Sequence, residues 1–169
     1  MLIYLAHGAS GNAASMAPHV GGLAERGLAA QAVGLPVGRA EKAVPAYRRQ
    51  VDDVGRVVIG GQSYGGRVAS MLAAEDRPLG LVLISYPLHR PGHPEWEPRT
   101  THWSDIGCPV LLLSGEADPF CRLDLLRHAL TRLTDARLIT YPRLGHGLRP
   151  VLDDVLDRVA EFAAGLRGP

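Results

Sequence analysis

Gly61-Gln62-Ser63-Tyr64-Gly65 sets a serine between two glycines in the spacing GxSxG, and Gly60 and Gly66 extend the run of small residues on either side. A serine hydroxyl is a weak nucleophile at neutral pH and needs a base to take its proton and a carboxylate to orient that base. When such a serine stands on a strand-to-helix elbow, its partners follow along the chain as acid and then histidine. Asp118, in Gly115-Glu116-Ala117-Asp118-Pro119, and His146, in Leu144-Gly145-His146-Gly147, appear in that order. Glu116 is the competing acid. His7 is the competing histidine, but it precedes the serine and suits another role. The bare pattern is weak, since a chain with 20 glycines gives about 0.1 chance matches. Its setting is specific: it follows an apolar run directly and opens a segment of helical spacing. Such an elbow needs small neighbours, because side chains there would collide with the next helix or strand.

Acyl chemistry also needs two backbone N–H groups aimed at a developing oxyanion. One is expected from Tyr64, the residue after the serine. The other is expected from Ala9, in the glycine-rich stretch His7-Gly8-Ala9-Ser10-Gly11 after the first apolar run. An ordinary glycine-rich turn that cradles a phosphate is the alternative there, although the stretch lacks both the GxGxxG and the P-loop spacing.

Six short apolar runs supply the frame: 2–6, 28–34, 56–60, 79–86, 110–114 and 136–141. Val57-Val58-Ile59 and Val110-Leu111-Leu112-Leu113 are continuously apolar, as parallel strands covered on both faces are. Between them, Leu123, Leu126, Leu130 and Leu133 repeat with helical spacing, as do Val151, Val155, Val159 and Phe162 after a helix-opening Pro150. Met16, Val20 and Leu23 follow a candidate cap at Ser15, with Gly27 placed to end that helix. Pro45 interrupts the spacing of Val44, Tyr47 and Val51, so the second helix is expected to begin only near it. Val68, Met71 and Leu72 mark a helix starting just after Ser63. Strand alternating with helix throughout predicts one α/β domain over 1–169, a three-layer sandwich around a mostly parallel sheet.

A chain of 169 residues with 46% hydrophobic and 21% charged residues can bury a sizeable core. The net charge of +1 provides no field to recruit nucleic acid or an anionic membrane, so neither is an expected partner. Cys108 and Cys121 are too few for a disulfide framework and sit in no metal-ligand pattern. With no basic leader and no apolar run of spanning length, a cytoplasmic location is expected. Segment 87–105 is irregular, with four prolines, Trp96, Trp103 and the histidines His89, His93 and His102. Prolines there argue against helical metal-ligand geometry, so no metal is expected.

Taken together, HGA, GQSYGG, GEAD and LGH resemble an α/β-hydrolase across essentially the whole chain. Gly-Gly-Gln-Ser-Tyr-Gly-Gly-Arg-Val-Ala-Ser is similar to a compact branch related to dienelactone hydrolases, including bacterial proteins akin to the NSL-complex subunit three and testis-expressed protein thirty. The resemblance implies a sheet order of 2-1-3-4-5-6 without the usual N-terminal strand pair and without a cap domain. The switch point would then fall between strands 1 and 3, which carry Ala9 and Ser63. Strand 2 would be an uncovered edge, for which homodimerisation is one expectation. The implied activity is that of a cofactor-independent serine hydrolase acting on a small carboxylic ester or thioester, with Ser63 as nucleophile, His146 as base and Asp118 as its orienting acid. With segment 87–105 as the lid, Trp96 or Trp103 is expected to line the substrate pocket. Acyl transfer and a non-catalytic interaction module on the same scaffold are the alternatives.

Overall fold

The structure is a computed structural model and describes residues 1–166. Six parallel strands, β1 (Leu2–Ala6), β2 (Ala29–Val33), β3 (Val58–Gln62), β4 (Gly80–Ile84), β5 (Val110–Gly115) and β6 (Ala136–Tyr141), form one sheet in the order β2-β1-β3-β4-β5-β6. Every residue of β4 and β5 is buried, whereas β2 alternates exposed and half-buried positions over its first four residues and buries only Val33. That contrast explains why the central runs are continuously apolar and the edge run Ala-Ala-Gln-Ala-Val is not. β2 is paired on one side only, to β1.

The period-two alternation of the strands divides the core into two layers. Ile3, Leu5, Val82, Leu111 and Leu113 pack with Leu23 of α1 (Ala17–Glu25) and with Val155 and Val159 of α5 (Leu152–Gly165). Tyr4, Ala6, Leu81, Leu83 and Leu112 face the other way. They meet Tyr47 of α2 (Ala40–Arg48), Val68 and Leu72 of α3 (Tyr64–Glu75) and Leu126 of α4 (Leu123–Ala129).

Several local expectations are corrected. The entry to the first helix is capped by Asn12, not Ser15. Asn12 Oδ1 accepts from the Ser15 N–H at 3.2 Å while the Asn12 N–H donates to Ser15 Oγ at 3.3 Å, a capping box on a short 3-10 turn that runs into α1. Gly27 does end α1: at φ 75° its N–H reaches Ala24 O, and the Leu28 N–H reaches Leu23 O, a Schellman closure. α2 begins at Ala40, five residues before Pro45. The proline removes one helical hydrogen bond, but Ala40, Ala43, Val44 and Tyr47 lie on one face and are all buried, and that packing outweighs the lost donor. α4 is shorter than its leucine spacing predicts and tightens into a 3-10 turn over Leu130–Arg132. β3 runs on to Gln62, so the first two residues of GQSYG are strand and Ser63 is the hinge itself.

Candidate active site

Ser63 joins β3 to α3 at φ 50° and ψ −115°, a conformation that costs a non-glycine residue about 1–3 kcal/mol. The surroundings hold it there. The Ser63 N–H donates to Ile84 O of β4 at 2.8 Å, and the glycines around it let strand and helix meet backbone to backbone. A Cβ on Gly61 would lie 2.6 Å from the Gly65 carbonyl carbon and 2.7 Å from Ala6 O; one on Gly65 would overlap the Ala6 backbone. The small residues in GGQSYGG are therefore a packing requirement. Tyr47 supports the same junction from α2: its hydroxyl accepts from the Gly60 N–H at 3.1 Å and lies 2.9 Å from Tyr4 O and 2.8 Å from Gly60 O. Burial raises its pKa well above the usual tyrosine value, keeping it a neutral donor.

The turns after β5 and β6 bring two further side chains to this strand edge. His146 Nε2 lies 2.8 Å from Ser63 Oγ, and His146 Nδ1 lies 2.8 Å from Asp118 Oδ2. A carboxylate only accepts, so Nδ1 carries the proton and the Nε2 lone pair faces the serine hydroxyl. Asp118 has no exposed side-chain surface, and its second oxygen accepts from the Phe120 N–H at 2.8 Å. The Phe120 ring lies against the imidazole with centroids 4.5 Å apart. Gly115 permits this closeness, because a Cβ there would overlap the Gly145 and Leu144 carbonyls of the loop that carries His146. Glu116, the competing acid, is exposed and accepts instead from Thr140 Oγ1 at 2.8 Å.

The two expected oxyanion donors also lie at this edge. Among the described residues, neither the Ala9 nor the Tyr64 N–H donates to a backbone carbonyl, and both residues line the cleft that holds Ser63. His7 is not free to act as a base. Its Nδ1–H donates to Gly8 O at 2.7 Å and its Nε2 accepts from the Leu35 N–H at 3.0 Å, pinning the glycine-rich loop against the chain beyond β2. The cleft has a volume of about 400 Å³, and Pro87, Arg99 and Arg67 complete its wall.

Segment 87–105 thus reaches the cleft through Pro87 and Arg99, not through its tryptophans. Trp103 is fully buried and packs edge-on to Tyr86 with centroids 5.0 Å apart. Trp96 is buried against His128, with Arg132 4.8 Å above its ring. The expectation that Trp96 or Trp103 lines the substrate pocket is therefore corrected: a large apolar ring gains more by anchoring this irregular segment to the core than by facing an open cleft. Two of the three histidines of the segment are also engaged elsewhere, while His93 is exposed. His89 donates to Arg90 O and accepts from the Arg122 N–H, while His102 Nε2 lies 2.8 Å from Ser70 Oγ. No cluster of metal-ligating side chains occurs among the described residues. Arg67, Arg99, Phe120 and Gly115 escaped the sequence reading. Only Arg67, one helical turn beyond the serine, carried a local signal in its position.

The fold has counterparts among solved structures. A monoacylglycerol lipase of Paleococcus ferrophilus superposes with a TM-score of 0.84 at 16% identity, covering 98% of this chain and 95% of the lipase. Est1E of Butyrivibrio proteoclasticus, solved with ferulic acid bound, gives 0.79 at 17%, with coverages of 98% and 88%. A Thermoplasma acidophilum protein named as a CIB-like hydrolase gives 0.76 at 20%, with coverages of 98% and 86%. No helix among the described residues is long and apolar enough to cross a membrane. Residues 1–154 match the sequence profile of the family described as "Alpha/beta hydrolase domain". With the sheet order and the strand-edge serine already in place, that match over most of the chain means that it belongs to the alpha/beta hydrolases.

Proposed function

We propose that this hydrolase cleaves a small carboxylic ester or thioester through a covalent acyl-serine intermediate. The observation that carries the reading is the relay of two 2.8 Å hydrogen bonds from Asp118 through His146 to the strained Ser63. In this account His146 Nε2 takes the Ser63 proton as Oγ attacks the substrate carbonyl carbon. The oxygen becomes an oxyanion and accepts from the Tyr64 and Ala9 N–H groups, whose charge stabilisation is worth about 3–4 kcal/mol per donor in comparable sites. Collapse breaks the bond to the alcohol or thiol, which leaves with the proton from His146. Water then gives a proton to His146 and attacks the acyl group, and Ser63 is regenerated with release of the acid. Asp118 holds the imidazole in the productive tautomer and stabilises its cationic form.

The open cleft of about 400 Å³ suits a short acyl chain, and the names of the structural neighbours, a monoacylglycerol lipase among them, are in keeping with ester chemistry. A scaffold retained only for docking would have no use for a serine held at φ 50° against its histidine. The test is a panel of short-chain p-nitrophenyl esters and acyl thioesters. Turnover of at least one by the wild type, and its loss in Ser63→Ala with the fold intact, is the expected result. Equal turnover by Ser63→Ala would remove the proposal.

A further inference from the structure

Beside the Ser63 cleft lies a second, larger depression of about 770 Å³, and the two share Tyr64, Arg67 and Arg99. Its walls set Arg39, Arg67, Arg90 and Arg99 against Glu41 and Glu95, a local excess of positive charge in a chain whose net charge is only +1. Glu41 is already engaged, 2.8 Å from Arg67 Nη2 and 3.7 Å from Arg39 Nε. None of the ion pairs among the described residues includes Arg90 or Arg99.

Arg67 and Arg99 are held in place by contacts that leave donors unused. Arg67 sits one helical turn after Tyr64. Its Nη2 donates to Glu41 Oε1 at 2.8 Å, and its buried Nε has no acceptor among the protein groups. Arg99 spends one N–H on Pro87 O at 2.7 Å, and its carbonyl accepts from the Tyr86 hydroxyl at 2.6 Å. Burial, followed by the nearby charges of Arg67 and Arg90, lowers the pKa of Arg99 from its ordinary value. Crowded, partly desolvated guanidinium groups are costly unless an anion completes them. Their planar donor forks match carboxylate and phosphate oxygens.

We infer that Arg67 and Arg99, with Arg90 beside them, form a subsite for an anionic group of the substrate, so that the ester or thioester cleaved at Ser63 carries a carboxylate or phosphate. The group is held by the Arg67 and Arg99 guanidinium groups where the two depressions join, and it fixes the substrate while its carbonyl stands over Ser63. This inference rests on the reading of Ser63 as the nucleophile.

The test compares kcat/KM for two esters of equal length, p-nitrophenyl hemiglutarate, which bears a carboxylate, and neutral p-nitrophenyl valerate. A phosphonate-bearing ester of the same length separates the two sources of charge, because the larger gain names the group preferred. The wild type is expected to favour an anionic ester about tenfold or more, a ratio that collapses towards unity in Arg99→Met and in Arg67→Met. The wild-type ratio is read without any variant and does not depend on the variants folding. Valerate turned over as well as either anionic ester, by an enzyme that Ser63→Ala inactivates, would overturn the subsite and leave the hydrolase reading standing. Folded wild type that turns over none of the three esters and takes no fluorophosphonate at Ser63 would overturn both.

Discussion

Replacing Asp118 by asparagine isolates the role of the buried carboxylate from its contribution to the fold. The Phe120 N–H is a fixed backbone donor 2.8 Å from Asp118 Oδ1, so the amide oxygen of asparagine takes that place and its NH2 group turns towards His146. His146 Nδ1, now facing a donor at the position where a carboxylate oxygen stands 2.8 Å away, has to accept. The imidazole proton moves to Nε2 and points at Ser63 Oγ, which leaves the serine proton without an acceptor. On that argument kcat falls by about 10⁴, equivalent to about 5.5 kcal/mol of barrier, the loss typical of a histidine held in the wrong tautomer. Both hydrogen bonds persist with reversed polarity at one of them and the side chain keeps its volume, so stability should change by only about 1 kcal/mol. The assay is the steady-state hydrolysis of a short-chain p-nitrophenyl ester, with urea unfolding run in parallel. Turnover within tenfold of the wild type in a folded Asp118→Asn protein would refute the reasoning.

Three further outcomes follow from the geometry. Gly115→Ala drives a Cβ into the carbonyls of Gly145 and Leu144, so the loop carrying His146 must shift. A loss of about 2–3 kcal/mol in urea unfolding and a fall in turnover of at least a hundredfold are expected together, and activity preserved in a destabilised protein would count against the proposed positioning. His7→Ala leaves the Leu35 N–H without its acceptor and frees the Gly8 carbonyl. The cost is about 2 kcal/mol in stability, and kcat drops ten- to a hundredfold as the Ala9 donor loosens, both measurable in the same two assays. His102 supplies a pH dependence. Burial and then the charge of Arg67 lower its pKa from 6.5 to about 4. Between those values the unfolded chain binds a proton that the folded chain does not, so its contribution is fully present above pH 6.5 and is lost as pH falls towards 4. For a ring that is partly exposed this amounts to about 2 kcal/mol, and His102→Gln should remove that part of the slope in urea titrations across the window.

The parts of the molecule that depend on local chemistry could be read from the chain. Continuous apolar runs announce the covered strands. The glycines around Ser63 announce a junction where β3 and α3 meet backbone to backbone, and the turns after β5 and β6 carry the acid and the histidine that reach it. What escaped depends on contacts between distant segments. Pro45 argued for a late start to α2, but the burial of Ala40, Ala43, Val44 and Tyr47 decides the matter. Trp96 and Trp103 sit in an irregular segment whose inner face no periodicity reveals, and they turn to the core while Arg99 turns to the cleft. Arg67 and Arg99 are 32 residues apart and become neighbours only once segment 87–105 folds back over α3. Asn12 and Ser15 cap the same turn from both ends, so spacing alone could not say which was the N-cap.

The central claim is that Ser63 is an activated nucleophile, and covalent labelling with a fluorophosphonate tests it without knowledge of the substrate. Intact mass and peptide mapping should place a single adduct on Ser63 of the wild type, with none in Ser63→Ala and labelling slowed by orders of magnitude in His146→Ala. A well-folded wild type that takes no label, or takes it at another residue, would contradict the account.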